Sequence, residues 1–197
     1  MPIDVFSALV VFACVMAFTP GPNNVLLAAS GVNFGFARTV PHITGVTIGF
    51  DVLLIACGAG LGLVFAAIPD LQTVLKVVGA IYMLWLAYKV ATAHQGKEAA
   101  APARPFTFLQ AAAFQWVNPK AVLAVVSGIA IYVRPGHQFV DFPIVILVFT
   151  VVTVLAVSAW AAFGAALRVF LQDPRRAKAF NFAMAALLVV SIVPMVL

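Results

Sequence analysis

A lysine just after an Asn-Pro pair, inside a long apolar run, is the residue of this chain best suited to bind an anion. Asn118 followed by Pro119 is typical of a helix start, an N-cap and then a first-turn proline. Lys120 then lies where the helix dipole is already positive, and a cation is unfavourable there. A substrate carboxylate would relieve that cost, so Asn118, Pro119 and Lys120, with Gln115 about one turn earlier, are predicted to bind substrate. The alternative is that Lys120 reaches the lipid headgroups, although it would lie about 20 Å from the start of its helix.

The second candidate is a break in the backbone. Prolines at positions 20 and 22 have no N–H to give to the carbonyl groups four residues earlier, and the glycine between them loosens the helix further. In hydrocarbon the freed groups are costly unless protein, water or ligand satisfies them. Such a break is tolerated where it lines a cavity, and a structural kink is the alternative. The predicted substrate-binding residues here are Thr19, Pro20, Gly21, Pro22, Asn23 and Asn24.

Asp51 is the only acidic residue far from the end of a predicted helix. Thr47 and Thr44 precede it by four and seven residues, which places all three on one helix face. This face is predicted to point into the helix bundle. An acidic residue within a membrane is by default a candidate for proton transfer, so Asp51 is predicted to couple transport to protons. The alternatives are a carboxylate paired with Lys120 and a protonated, hydrogen-bonded carboxyl group.

The remaining reactive side chains form no recognisable site. Cys14 and Cys57 are far apart and are predicted to be small buried hydrophobic residues. His42, His94 and His137 are predicted near the membrane interfaces and form no ligand set. No nucleotide-binding loop occurs in the chain. The sequence therefore predicts no bound metal, no cofactor and no enzymatic activity.

The composition places these residues on membrane helices. Of 197 residues, 64% are hydrophobic and 9% are charged, whereas an average soluble domain has about 25% charged residues. So few charged groups cannot cover a small soluble domain, and so many apolar groups exclude a disordered chain. Since a spanning helix takes about 20 residues, the chain has room for about six. The net charge of +5 is spread between apolar runs, so it does not indicate nucleic-acid binding.

An all-α, polytopic membrane protein is thus predicted, with six transmembrane helices in a single domain of residues 1–197. Residues 1–93 and 106–197 each hold three helices, and residues 94–105 form the linker. Because each half has an odd number of spans, the halves insert in opposite orientations. Paired broken helices in two inverted repeats are typical of secondary transporters. The predicted spans are 4–31 and 106–133, which carry the breaks, and 40–67, 71–92, 142–170 and 176 to the C-terminus, with a turn at 31–38.

Basic residues near the helix ends predict the orientation. Eight of them follow spans one, three and five, two lie on the other side, and Lys120 lies within a span. The side with eight is predicted to be cytoplasmic. Both termini then face the periplasm or the exterior of a bacterial inner membrane. The eight are Arg38, Lys89, Lys97, Arg104, Arg168, Arg175, Arg176 and Lys178, and the two are Lys76 and Arg134.

Three segments together resemble the LysE/RhtB family of amino-acid exporters. They are residues 19–23, 79–89 and 118–121. The resemblance implies a six-helix inner-membrane exporter of amino acids or their derivatives, in exchange for protons, with the small-molecule substrate and the lipid bilayer as partners. Many members also have a glycine early in the last helix, where this chain has residues 181–184 without one, and an acid in the fifth, where residues 142–167 have none. Residues closest to the cysteine/O-acetylserine exporter branch are Asn23-Asn24, Gly35-Phe36, Gly45 and Gly49-Phe50.

Other functions stay open on the sequence alone. One is the export of another small solute or of a metal ion on the same scaffold. Another is a membrane redox protein that uses Cys14 and Cys57. A homodimer is open as well.

Overall fold

The computed structural model of the chain describes residues 1–61, 69–92, 105–190 and 192, and these contain helices, turns and coil but no strand. A π-helical turn (Cys57–Leu61) continues the third helix, and a 3-10 turn (Phe170–Gln172) precedes the last. The helices are α1 (Ile3–Phe18), α2 (Pro22–Phe34), α3 (Phe36–Ala56), α4 (Pro69–Ala91), α5 (Phe108–Val117), α6 (Pro119–Tyr132), α7 (Gln138–Leu167) and α8 (Pro174–Val190).

Both predicted breaks are confirmed as bends between two half-helices. The angle is 54° between α1 and α2 and 66° between α5 and α6. Within the described residues, two helices are long and apolar enough to cross a membrane alone, Phe36–Gly60 and Gln138–Leu167. Counting each bent pair as one crossing gives up to four.

Several predicted boundaries are wrong. The turn predicted at 31–38 is the single residue Gly35, because its φ of 78° reverses the chain in one step and is a conformation that glycine adopts readily. The fifth span begins at Gln138 rather than at 142 and ends at Leu167. The predicted end of the second span and almost all of the linker at 94–105 lie outside the described residues.

Close backbone contacts at small residues hold the half-helices α2 and α5 against neighbouring helices. A Cβ atom added at Gly31 of α2 would overlap the Ala161 carbonyl oxygen of α7, and one added at Gly164 would overlap the Ala28 carbonyl oxygen. Gly45 of α3 lies in the same way against α5. Small residues are typical of membrane helix contacts, because they let backbones approach closely. Two close helix contacts result, α2 against α7 and α3 against α5.

An ion pair spans the loop between α6 and α7. Asp141 is fully buried, and Arg134 donates to it from Nε at 2.7 Å, from Nη2 at 3.0 Å and from the backbone at 3.2 Å. Hydrogen bonding to Asp141 raises the pKa of the Arg134 guanidinium above its ordinary value. The contact therefore stays charged at physiological pH.

Candidate functional site

The first break exposes carbonyl groups at the end of α1, and side chains satisfy them. Asn24 donates from Nδ2 to the carbonyl oxygens of Ala17 at 2.8 Å and Thr19 at 2.9 Å. Trp160 of α7 donates from Nε1 to the Phe18 carbonyl oxygen at 3.3 Å. The last of these is the carbonyl group that the proline at position 22 leaves without its helical donor. The break is thus stabilised by the protein itself.

The second break is a capped helix start, as its sequence predicts. The Asn118 side chain accepts from the Lys120 backbone N–H at 3.2 Å, and Pro119 occupies the first helical position. Asn118 is 1% exposed. A buried asparagine whose oxygen caps its own helix holds this half-helix start in place.

Lys120 crosses from the second break to the first. Its Nζ atom donates to the Thr19 carbonyl oxygen and to Thr19 Oγ1, each at 2.7 Å, and lies 3.4 Å from the Pro20 carbonyl oxygen. These oxygens lie at the C-terminal, negative end of α1, which relieves a cation that its own helix disfavours. The sequence predicted an anion in this role. The carbonyl groups of the first break contact the ammonium group in this structure, and an anion at Lys120 stays a prediction.

A second contact joins the breaks in the opposite sense. Asn23 Nδ2 donates to Gln115 Oε1 at 2.8 Å, and Gln115 Nε2 donates to Asn23 Oδ1 at 3.2 Å. Asn23 and Lys120 each follow the proline that begins their half-helix. Each therefore reaches from the first turn after one break to the end of the half-helix before the other. Nothing in the sequence predicted this relation.

The two breaks meet at a cavity of about 60 Å³. The start of α2 lies there with no side-chain cap, so its first N–H groups and dipole make the cavity electropositive together with Lys120. Four predicted residues, Thr19, Pro20, Gln115 and Pro119, are not among the lining residues. Those that line the cavity are Gly21, Pro22, Asn23, Asn24, Asn118 and Lys120, with an apolar wall that includes Val46, Phe50, Phe149 and Val157.

Asp51 lies apart from this cavity, in the contact between α3 and α7. It is half-buried, and Thr150 Oγ1 lies 2.9 Å from its Oδ1. The predicted inward polar face is wrong in part, because Thr47 is buried but Thr44 is exposed. Asp51 and Lys120 form no ion pair within the part of the chain that the structure describes. The proton-coupling role of Asp51 stays a prediction.

One histidine is buried inside a helix. His42 is 1% exposed, and α3 begins at Phe36 rather than at residue 40, so His42 lies in its second turn. Both cysteines are free thiols. Cys57 is buried, as predicted, whereas Cys14 is only half-buried. Among the described residues no group of His, Cys, Asp or Glu could hold a metal ion.

Comparison with known proteins identifies the family of the chain and similar efflux proteins. Residues 14–193 match the family model described as LysE type translocator. The chain is 32% identical over 186 residues to the cysteine/O-acetylserine efflux protein of Escherichia coli strain K12, covering 93% of each. It is 32% identical to the protein of the same name from Salmonella typhimurium strain LT2 over 160 residues, 80% of this chain and 81% of the relative. No solved structure matches the chain.

Proposed function

Because the chain belongs to the family of LysE type translocators, we propose that it is a secondary active exporter of small amino acids or their derivatives. One observation carries the proposal: two broken helices meet, and their polar groups face one small cavity. Broken half-helices of this kind bind substrates in secondary transporters. The names of the relatives suggest cysteine and O-acetylserine as the first compounds to test.

The electropositive side of the cavity suits the carboxylate of an amino acid. The start of α2 has free N–H groups and no side-chain cap, and Lys120 lies across from it. A carboxylate could accept from both, since a helix start binds anions and lysine adds a point charge. Asn118 does not compete for the α2 amides, because its side chain caps its own helix.

The opposite wall suits a short side chain and an amino group. Val46, Phe50 and Phe149 make it largely apolar, and the Thr153 hydroxyl and the Asn24 side chain are the polar groups nearby. The cavity is small, at about 60 Å³. Small amino acids therefore fit this space better than aromatic or long basic ones.

In the membrane we place α1–α2 and α5–α6 as two broken spans and α3, α4, α7 and α8 as the other four. This gives six spans in two inverted repeats, with both termini on the periplasmic side of the inner membrane. The reciprocal contacts support this arrangement. In each of them, the residue after the proline of one half contacts the end of the half-helix before the other break: Lys120 contacts Thr19, and Asn23 contacts Gln115.

We propose that Asp51 couples transport to protons through its hydrogen bond with the Thr150 hydroxyl group. Thr150 Oγ1 lies 2.8 Å from the Ile146 carbonyl oxygen and 2.9 Å from Asp51 Oδ1, but a hydroxyl has one proton to donate. A protonated Asp51 satisfies all three groups, whereas an ionised one draws the Thr150 proton away from Ile146. The residues next in sequence, Phe50 and Phe149, line the cavity with ring centroids 5.4 Å apart, and we propose that the change acts on the cavity through them.

The function is tested with purified protein in liposomes loaded with labelled O-acetylserine or cysteine. We expect saturable exit that requires the protein and is inhibited by other small amino acids. Empty liposomes and a panel of large amino acids are the controls. Exit at the empty-liposome rate for every small amino acid would contradict the proposal.

Asp51→Asn tests the coupling, because it keeps the shape of the side chain but cannot titrate. We expect substrate exchange without a gradient to stay within about twofold of the unmodified protein, while transport driven by a pH gradient is lost. Asp173→Asn, at an exposed carboxyl group before α8, is the matched control. Gradient-driven transport that survives in Asp51→Asn would rule out this role.

A further inference from the structure

His42 is a buried histidine with one nitrogen left over. Its Nδ1 lies 3.1 Å from Ser30 Oγ of α2. Its Nε2 is buried and has no hydrogen-bond partner among the described residues. An unpaired buried polar atom is costly and calls for an explanation.

His42 lies next to the cavity along α3. Phe50 and Val46 of α3 line the cavity. His42 lies on the same helix face, four residues before Val46. Along the axis it is about 6 Å from Val46. Ser30 follows the cavity residue Asn23 by seven positions, so it continues the equivalent face of α2. His42 therefore lies about one turn, and Ser30 about two turns, from the cavity residues of their helices, on the side of Gly35.

On that side the cavity is closed by tight packing. Gly31 holds α2 against α7, and Gly45 holds α3 against Phe108 of α5. The Phe106 ring stacks on the imidazole with centroids 5.1 Å apart. A substrate that leaves or enters the cavity on the Gly35 side has to part α2, α3 and α5 around His42.

Among residues 1–61, 69–92 and 105–190, no acidic group faces the imidazole in this closed arrangement. Helices α2 and α5 contain no ionisable residue, and the only one in α7 is Asp141, in its first turn. On α3 itself, Arg38 is exposed and Asp51 lies more than two turns away; Lys120 of α6 is held at the breaks. A neutral imidazole fits this apolar contact between α2, α3 and α5, called the seam below, and an imidazolium would find no counter-charge among those residues.

We propose that His42 is a proton-binding site of the seam between α2, α3 and α5, and that it takes up a proton at Nε2 when this seam opens to water. Ser30 keeps Nδ1 oriented and leaves Nε2 free. Acid on the Gly35 side then favours the open seam, and loss of the proton favours the closed one. This site is separate from Asp51, and it does not depend on which solute the protein carries.

The test measures access to the cavity without any substrate. Val46→Cys, in a chain with both native cysteines replaced by serine, is labelled with a membrane-impermeant maleimide in inside-out and in right-side-out vesicles. A solvated imidazole titrates near pH 6.5, so its protonated fraction rises about tenfold between about pH 7.5 and 5.5. Maleimide chemistry itself slows as the thiolate is lost, so each labelling rate is divided by the rate of a fully exposed cysteine at the same pH. We expect this corrected labelling from the Gly35 side to rise by about that factor.

Two replacements of the histidine decide the outcome. His42→Phe preserves the ring packing and His42→Gln preserves a polar group, and with either one we expect the acid-dependent rise to disappear. His137→Phe, at an exposed histidine in the loop before α7, should leave the rise intact. A rise that persists in both His42 variants, or labelling that is absent at every pH in both vesicle types, would overturn the proposal.

Discussion

The two helix breaks share a plan and differ in two positions. Each begins its second half-helix with a proline, and each sends the next side chain to the end of the half-helix before the other break. The residue before the proline is Gly21 in the first break and Asn118 in the second. The residue after it is Asn23 in the first break and Lys120 in the second.

These differences make the breaks complementary rather than equivalent. Gly21 has an extended backbone that any residue adopts, so its value is space: a Cβ there would lie 2.9 Å from Lys120 Cδ. Asn118 uses its side chain to cap its own helix, whereas the start of α2 has no side-chain cap. The first break therefore supplies carbonyl groups that accept hydrogen bonds and a helix start without a side-chain cap, and the second supplies the charge.

Removing that charge should have the largest effect. Lys120→Met keeps the length of the side chain but leaves the Thr19 and Pro20 carbonyl oxygens without their ammonium donor. A hydrogen bond to a charged group contributes about 1.5–3 kcal/mol, so we expect transport to fall about 10- to 100-fold while insertion into the membrane does not suffer. Initial rates of O-acetylserine exit at matched expression measure this.

Lys89→Met is the matched control for that variant, because Lys89 lies over Trp85 at the end of α4, away from the breaks. It should transport at the normal rate. Unchanged kinetics in Lys120→Met would mean that the charge is structural and that the two breaks are closer to equivalent than we infer.

The neutral contact should matter less than the charged one. A double-mutant cycle of Asn23→Ala and Gln115→Ala should give a coupling energy of about 0.5–1.5 kcal/mol, the range for a neutral hydrogen bond. The cycle of Thr19→Val and Lys120→Met should give more, because its donor is charged. Both are measured from the free energy of unfolding in detergent. Equal coupling energies in the two cycles would contradict the difference between the breaks.

The smallest effect should separate capping from substrate binding. Asn118→Ala and Thr107→Ala each remove a helix N-cap, of α6 and of α5, and each should lower the stability by about 1 kcal/mol. Only Asn118 lines the cavity, so only its replacement should also lower the apparent affinity for substrate, by a few-fold. Equal transport by the two variants at equal stability would place Asn118 outside the site.

The sequence alone determined where the helices break. A proline lacks its N–H wherever it lies, and an Asn-Pro pair starts a helix through contacts within one turn, so both bends follow from local chemistry. The excess of apolar residues likewise depends on composition alone and points to a membrane without any fold. These inferences need no knowledge of which helix packs against which.

Which groups meet depends on how distant helices pack. Thr19 and Lys120 are 101 residues apart, and no local rule pairs an ammonium group with the carbonyl groups of a distant break. Nor does periodicity show which face of a helix is inside when nearly every face is apolar, so the burial of His42 and the peripheral position of Asp51 were both beyond the sequence. Packing of distant helices sets these contacts, because the energy of a charge or a polar atom in a membrane protein depends on its neighbours in space.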